Sequence, residues 1–149
     1  MRLIARAVLT AGFLLALIGL VESVSATPTP ELHAAGLVIK HGDGSVLYFY
    51  VQFSEPQIAA TDLLQRAGVS IDVAPYAGLG QAVCRIDGEG CPATNCFCKS
   101  YANPSIYWRY QRLTDSGTWV ALPYAASQKS VHDGDVIGFS SLGNFRSNS

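Results

Sequence analysis

All four cysteines of the 149-residue chain lie between Cys84 and Cys98, with six, four and one residues separating successive ones. This spacing differs from the paired C-x-x-C knuckles that hold structural zinc. In an exported protein, a thiol cluster of this kind is oxidised to disulfides. We therefore predict two disulfides that cross-link a long surface loop, and no metal site. The cysteines concerned are Cys84, Cys91, Cys96 and Cys98.

The pairing of these cysteines is only partly constrained by the sequence. Cys96 and Cys98 are separated by a single residue, so a bridge between them would be strained. Two pairings remain. Ring size favours Cys84–Cys98 with Cys91–Cys96 nested inside it. The alternative, Cys84–Cys96 with Cys91–Cys98, stays open.

Residues 1–26 have the features of a secretory signal peptide. Arg2 and Arg6 supply positive charge, an apolar run follows as far as Val21, and Val24-Ser25-Ala26 is a small-residue cleavage pattern. The apolar run of about 15 residues is shorter than the roughly 20 needed to span a bilayer. We predict cleavage, no stable membrane insertion, and a secreted or extracytoplasmic location in the periplasm or at the cell surface. An uncleaved anchor is the alternative.

Residues 27–36 are predicted to be a linker, because the run Thr27-Pro28-Thr29-Pro30 favours a stiff, extended chain. Residues 37–142 have the length of one domain, and residues 143–149 are predicted to be a flexible tail. The formal net charge is −1, and the sequence contains no basic patch. We therefore exclude nucleic acid as a partner.

An Asp-Gly turn separates two strands predicted at the start of the domain. Residues 37–40 form the first strand, and His41-Gly42-Asp43-Gly44 has the chemistry of a tight hairpin turn. The second strand, residues 46–53, alternates with a period of two. One face is apolar and should meet the core, whereas the other carries two tyrosines. The apolar face consists of Leu47, Phe49, Val51 and Phe53, and the opposite face of Val46, Tyr48, Tyr50 and Gln52.

Residues 58–67 have convincing helical spacing, and Gly68 is placed to end the helix in a left-handed conformation. A hairpin, one helix and then several strands is the order of an α+β domain, with the helix packed across one face of a mixed or antiparallel sheet. A β-grasp-like fold fits this order best, and an all-β sandwich is the competing fold. The later strands are predicted at residues 69–73, 82–86, 106–112, 119–122 and 136–142.

The order of several motifs resembles the transcobalamin-like C-terminal domain family. The motifs are residues 58–68, the cysteine block 84–98, Tyr107-Trp108, Trp119 and residues 131–137. The resemblance covers roughly residues 37–142. It implies a small exported β-grasp-like domain, similar to the C-terminal β-domain of cobalamin carriers, with a ligand-binding or interaction role. Where the family often has Ser or Thr capping the helix, this chain has Ala59. Either Thr61 or Ser54 takes that role, or the start of the helix is weaker.

The aromatic run Tyr107-Trp108-Arg109-Tyr110 supplies the candidate binding residues. Trp108 and Tyr110 share one strand face, whereas Tyr107 and Arg109 share the other. One face must be core, and we expect Trp108 to be a buried anchor packed on the helix. The open face would then present aromatic rings suited to a flat organic ligand or a partner protein. The candidates for ligand or partner binding are Tyr48, Tyr50, Tyr107, Trp108 and Arg109.

No catalytic constellation is recognisable in the sequence. His33, His41 and His132 are far apart, and the chain has no Ser-His-Asp, paired-carboxylate or phosphate-loop pattern. We predict a secreted, non-catalytic ligand-binding or protein-interaction module without a cofactor. Its ligand would be a small organic molecule, with a corrinoid implied by the family, and its partner a larger protein such as a separate α/α-barrel protein. The alternative is a structural or adhesive cell-surface domain.

Overall fold

The computed structural model describes residues 31–103 and 105–141. The predicted signal peptide, the Thr-Pro run and the predicted tail at 143–149 lie outside the described residues. In chain order, the described elements are β1 (His33–Lys40), β2 (Val46–Phe53), β3 (Ile58–Ala59), α1 (Ala60–Arg66), β4 (Ile71–Pro75), β5 (Gln81–Ile86), β6 (Glu89–Gly90), a 3₁₀ helix (Ala93–Asn95), β7 (Arg109–Leu113), β8 (Trp119–Ala121), β9 (Lys129–Val131) and β10 (Val136–Ser140).

Five strands form a mixed sheet in the order β2-β1-β10-β7-β8. β1 and β10 run parallel, with Leu37 opposite Ile137 and Ile39 opposite Phe139, whereas the other neighbours are antiparallel. A three-stranded sheet, β4-β5-β6, and the short pair β3-β9 complete the sheets of the described residues. The predicted α+β class and the mixed sheet are therefore confirmed.

The first hairpin forms where the sequence predicts it. The Gly44 amide donates to the His41 carbonyl at 3.1 Å, and Gly44 has a φ of +90°, which closes the turn in a conformation that glycine adopts without strain. β1 begins at His33, inside the segment expected to be a linker. Ala35, for example, is only 1% exposed. The strand is longer than predicted because its buried residues already alternate from that position.

The helix packs on the five-stranded sheet through its apolar side. Leu63 and Leu64 are fully buried in one core with Leu37, Ile39 and Phe139 from the sheet. Burial of each such side chain contributes roughly 1.5–3 kcal/mol. This packing fixes the position of the helix relative to the five-stranded sheet.

A neighbouring loop supplies a hydrogen-bond acceptor for a backbone amide at the start of the helix. Ile58 and Ala59 pair with β9, so α1 begins at Ala60, two residues later than predicted. Ala59 makes no side-chain cap hydrogen bond. The amide of Thr61 instead donates to the carbonyl of Ala126 at 3.1 Å. This backbone contact takes the place of the side-chain cap expected from the sequence.

Other element boundaries lie within about three residues of the predictions. Gly68 has a φ of +77° and follows the helix as predicted. The strand expected at 69–73 lies at Ile71–Pro75, and the strand expected from residue 106 begins at Arg109. β6 and β9 were not predicted, because strands of two and three residues are too short to display a period of two.

Candidate functional site

All four cysteines are paired, as Cys84–Cys96 and Cys91–Cys98. The Cα atoms of the pairs lie 4.6 and 5.9 Å apart, within the usual range for a disulfide. The nested pairing that ring size favours is wrong, and the alternative left open is the one that forms. A preference based on ring size assumes that the loop is a flexible chain. In the structure, the β5–β6 hairpin holds Cys91 beside Cys84, with the Cys91 amide 2.9 Å from the Cys84 carbonyl.

A close backbone approach at Gly90 makes this arrangement possible. Gly90 has a φ of +125°, a conformation that residues with a Cβ rarely adopt. A Cβ at this position would overlap the Cys84 carbonyl and would lie 3.1 Å from Nε1 of Trp108. The glycine therefore lets the cystine loop, residues 84–98, pack directly against the indole.

An aromatic cleft of about 510 Å³ lies between two parts of the fold. One side is formed by the β4–β5 hairpin and the cystine loop, and the other by β7, the segment after β8 and Phe139 of β10. The volume falls within the roughly 300–1,000 Å³ of small-molecule sites. The aromatic residues that line the cleft are Tyr76, Phe97, Tyr107, Trp108, Tyr110, Tyr124 and Phe139.

The outer wall of the aromatic cleft is built by a ring contact across the cystine loop. Phe97 lies between Cys96 and Cys98 in sequence, and its ring centroid is 5.3 Å from that of Tyr76. Tyr76 is 43% exposed. The two disulfides therefore fix the position of an aromatic ring at the mouth of the cleft.

The inner wall is centred on Tyr110. Its ring stacks on Phe139 at a centroid distance of 5.3 Å and meets the edge of Tyr124 at 6.1 Å. The Tyr110 hydroxyl lies 3.1 Å from Oγ of Ser130. Burial raises the pKa of Tyr110 to about 12, so this phenol is neutral at physiological pH.

Two side-chain hydrogen bonds connect the walls at the far end of the cleft. The amide of Gln81 donates to Oγ of Ser127 at 2.7 Å, and Nε2 of Gln128 donates to the Leu79 carbonyl at 2.8 Å. The β4–β5 turn is thereby joined to the segment between β8 and β9. The cleft is consequently held open by contacts that do not involve its aromatic rings.

Trp108 is buried, as expected, at 7% exposure. Its Nε1 donates to the Glu89 carbonyl at 3.0 Å, and its ring meets the His41 imidazole edge-on at 5.6 Å. The hydrogen bond and the ring contact of the indole therefore run to β6 and the first hairpin, and Trp108 belongs to the same buried cluster as Leu63 and Leu64 of the helix. Trp108 precedes the strand in which we expected it, because β7 begins one residue later, at Arg109.

The carboxylate of Glu89 is the centre of a polar cluster behind Trp108. Oε2 lies 2.7 Å from Nδ1 of His41, and Oε1 accepts from the Gly42 amide at 2.9 Å and from Oγ of Ser141 at 2.5 Å. Burial tends to raise the pKa of Glu89, but the hydrogen bonds from Ser141, His41 and Gly42 outweigh it, and the pKa lies below its ordinary value. The cluster joins the first hairpin, β6 and the end of β10.

A second cavity, of about 260 Å³, lies beside this polar cluster. Glu89, Ser141 and Lys99 contribute polar groups to its lining, and Tyr107 and Trp108 line both this cavity and the aromatic cleft. The two rings therefore form a partition between the two cavities.

Three of the five predicted binding residues meet at the aromatic cleft. Tyr107, Trp108 and Arg109 all line it, with the Arg109 guanidinium 5.2 Å above the Tyr107 ring. Tyr48 and Tyr50 are highly exposed but lie on β2. β1 and β10 separate β2 from β7, which corresponds to about 14 Å at the usual strand spacing. The single aromatic surface expected from the sequence is thus two separate surfaces.

Five rings of the cleft are not among the residues predicted from the sequence: Tyr76, Phe97, Tyr110, Tyr124 and Phe139. Tyr76 and Tyr124 lie in segments with no recognisable pattern, and Tyr110 was assigned only to the strand face it shares with Trp108. Phe97 carried the clearest available signal, because a ring between two cysteines must lie close to the cross-linked backbone. The fold was needed to bring the five rings together.

Comparison with solved structures shows a likeness of fold. The crystal structure of a protein from Ruminococcus gnavus ATCC 29149, provisionally described as metal binding, matches with a TM-score of 0.51 at 18% identity, over 76% of this chain and 99% of that chain. Haptocorrin in complex with Cbi matches with a TM-score of 0.46 at 9% identity, over 79% of this chain and 27% of that chain. Protein-family models and curated proteins give no match.

Two features are absent from residues 31–103 and 105–141. This part of the chain has no helix long and apolar enough to cross a bilayer. It also has no group of three or more His, Cys, Asp or Glu side chains placed to hold a metal ion.

Proposed function

We propose that the chain is an exported, non-catalytic module that binds a flat organic ligand in the aromatic cleft. The observation that carries this proposal is the convergence of seven rings, from separate segments of the chain, on a cavity of about 510 Å³. A concave, mainly apolar lining with a few polar groups at its edge is typical of small-molecule sites. The Arg109–Tyr107 pair supplies such a polar edge.

Preorganisation of the walls supports the same proposal. Phe97 is held by the disulfides on either side of it in sequence, and the Gln81–Ser127 and Gln128–Leu79 hydrogen bonds hold the opposite end. A ligand entering a cleft with fixed walls loses less binding free energy to the ordering of side chains. Each ring that stacks on the ligand adds about 0.5–1.5 kcal/mol beyond area burial.

A corrinoid is the first ligand to test. The motif order that resembles the transcobalamin-like C-terminal domain family supports this choice. The strand order β2-β1-β10-β7-β8, with one helix across the sheet, supports the β-grasp-like fold that the resemblance implies. A corrin ring is flat and conjugated and extends beyond a cleft of this size. An extracytoplasmic partner, such as an α/α-barrel protein, would then cover the part of the ligand that remains outside.

Tryptophan fluorescence and corrin absorption provide the test. The chain has two tryptophans, so Trp119→Phe leaves Trp108, in the cleft wall, as the single reporter. Titration with cobalamin, and then with a panel of flat heteroaromatic compounds, should quench Trp108 and perturb the corrin spectrum. The absence of any response at high micromolar concentrations of every compound would refute the proposal.

Cleft variants locate the binding. Phe97→Ala and Tyr76→Ala each remove one ring of the outer wall and should weaken binding about tenfold, equivalent to about 1.4 kcal/mol. Tyr48→Ala is the matched control, because it removes an exposed ring from a different surface. An equal loss of binding in Tyr48→Ala would place the ligand outside the cleft.

Export and the lack of catalysis are part of the proposal. Two disulfides support an oxidising compartment. The polar cluster behind Trp108 contains a serine, a histidine and a carboxylate, but Ser141 and His41 each bond to Glu89. This differs from the serine–histidine bond of a catalytic triad. Turnover of generic ester or peptide substrates, lost in Ser141→Ala, would contradict the absence of catalysis.

Docking on a larger cell-surface protein is the second candidate function. It is favoured by Tyr48 and Tyr50, which are 75% and 74% exposed on a surface separate from the cleft. Capture experiments with cell-surface extract, comparing the native chain with a Tyr48→Ala/Tyr50→Ala variant, test it. Identical capture by both proteins would remove this candidate.

A further inference from the structure

β2 is an unprotected edge of the five-stranded sheet. Among the described residues, β1 is the strand that pairs with it, and its other side has no neighbour. Its eight residues, Val46–Phe53, include no charged residue, no proline and no glycine. Natural sheets usually protect such edges with charges, prolines or bulges. The regular pairing with β1 over the whole length of β2 shows no bulge.

The hydrogen-bonding direction of each β2 residue follows from the neighbouring strands. In β1, the Gly36 amide donates to Asp135 and the Lys40 carbonyl accepts from Ser141, so the even-numbered residues of β1 face β10. The odd-numbered residues therefore face β2, where Leu37 is opposite Phe49. It follows that the odd-numbered residues of β2 bond to β1. The backbone groups of Val46, Tyr48, Tyr50 and Gln52 point away from the sheet.

The side chains of the same residues are also open. Tyr48 and Tyr50 are 75% and 74% exposed, which corresponds to about 150 Å² for each ring and its stem. They lie on the same face of β2 because they are two residues apart. The edge therefore presents unpaired backbone groups together with two large aromatic side chains.

We propose that a second copy of this chain docks on this edge, with the two β2 strands antiparallel about a two-fold axis at Phe49. In that register, Tyr48 lies opposite the partner's Tyr50 on the same face, in a hydrogen-bonded pair. Val46 lies opposite the partner's Gln52, so all outward backbone groups of both strands are satisfied. The two five-stranded sheets become one continuous sheet.

Charge and pattern identify the occupant as another copy. The edge accepts an extended, uncharged strand with aromatic residues at alternate positions, and β2 itself is such a strand. Self-pairing brings no like charges together on the strand, and the formal net charge of −1 gives little repulsion between copies. Beyond the strand, Arg66 bonds to Glu55 at 2.6 and 3.1 Å and offsets the charge of this carboxylate.

The size of the contact predicts a weak dimer. Four tyrosines at about 150 Å² each give at most about 600 Å². The backbone edges bring the total toward, but not above, the ~1,000 Å² lower limit of specific interfaces. We therefore expect the dissociation constant in the micromolar range. This inference is independent of the ligand proposed for the cleft, because β2 contributes no residue to the cleft lining. It competes with docking on a larger cell-surface protein, because both use Tyr48 and Tyr50.

Analytical ultracentrifugation of the full chain, expressed in an oxidising compartment, tests the proposal. The weight-average mass should rise from monomer to dimer across the micromolar range. Tyr48→Lys/Tyr50→Lys places like charges opposite each other and should raise the dissociation constant at least tenfold. Tyr101→Lys is the control, because Tyr101 is 99% exposed and lies outside β2. Its dissociation constant should be unchanged.

A backbone variant and a cross-link keep the test decisive. Tyr50→Pro removes an outward amide without removing a bond to β1, and it should give a folded monomer, checked by circular dichroism. Photo-oxidation of the native dimer should produce a dityrosine-linked pair of the tryptic peptide 41–66. A chain that is monomeric at all concentrations would overturn the proposal, as would a dimer unaffected by the double lysine variant. A monomer that captures a different extended peptide at β2 would show another occupant and would equally overturn it.

Discussion

Removal of selected cysteine pairs should distinguish the observed disulfide pairing from its alternative. The bridges span sequence separations of 12 for Cys84–Cys96 and 7 for Cys91–Cys98. The loop-entropy relation converts these separations into about 2.8 and about 2.4 kcal/mol of stabilisation at 25 °C. Each matched double variant, Cys84→Ser/Cys96→Ser or Cys91→Ser/Cys98→Ser, should therefore lose a single contribution of this size. For a domain of this length, the melting temperature should fall by roughly 10 °C.

The mismatched double variant gives a different result. Cys84→Ser/Cys98→Ser leaves one cysteine from each bridge, so both cross-links are lost and the cost approaches the sum, about 5 kcal/mol. Urea denaturation, thiol titration and peptide mapping of all three variants give the comparison. If the mismatched variant retained a disulfide and lost only about 2.5 kcal/mol, the nested pairing would be correct and this reasoning would fail.

Three further predictions concern single residues. Glu89→Gln should destabilise the fold by about 1–2 kcal/mol at neutral pH. Because the pKa of Glu89 in the folded state lies below its ordinary value, this contribution to the free energy of unfolding is present above about pH 4.5 and is lost as the pH falls through the lowered pKa. An equal loss of unfolding free energy at pH 3 and pH 7 in urea denaturation would contradict the prediction. Gly90→Ala should lower the free energy of unfolding by more than about 2 kcal/mol in the same assay. Gly134→Ala should lower it by about 1 kcal/mol, because Gly134 has a φ of +78° but open space around it. Tyr110→Phe should lower the free energy of unfolding by about 1 kcal/mol through loss of the Ser130 contact. In ultraviolet titration it should also remove the phenol that ionises at about pH 12. Persistence of that titration step in the variant would refute its assignment to Tyr110.

Much of the fold was predictable because its elements carry local signals. The period of two in β2 placed Tyr48 and Tyr50 on the exposed side and Val51 on the buried side, and the structure agrees. Gly44 and Gly68 occupy positive-φ positions at the predicted turn and helix end. These signals are local because alternation and backbone conformation depend on neighbours within a few residues.

The site was less predictable because it depends on long-range contacts. Tyr76 and Phe97 meet across the cystine loop, and Tyr110 and Tyr124 meet through the segment that follows β8. Local pattern carries no information about such contacts. The favoured prediction of the disulfide pairing was wrong for the same reason, since the position of Cys91 beside Cys84 depends on the two-residue strand β6.

The parallel pairing of β1 with β10 has a consequence for how the chain reaches its native state. β1 gains its second neighbour only from a strand about a hundred residues later in the chain. Under the proposed export, with the amino terminus first, completion of the sheet would therefore be a late event. Cys84 through Cys98 emerge earlier than Val136, so oxidation of the thiols can precede closure of the sheet. An oxidising catalyst would then act on an incomplete molecule, and the order of these two events would set the yield of correctly paired protein.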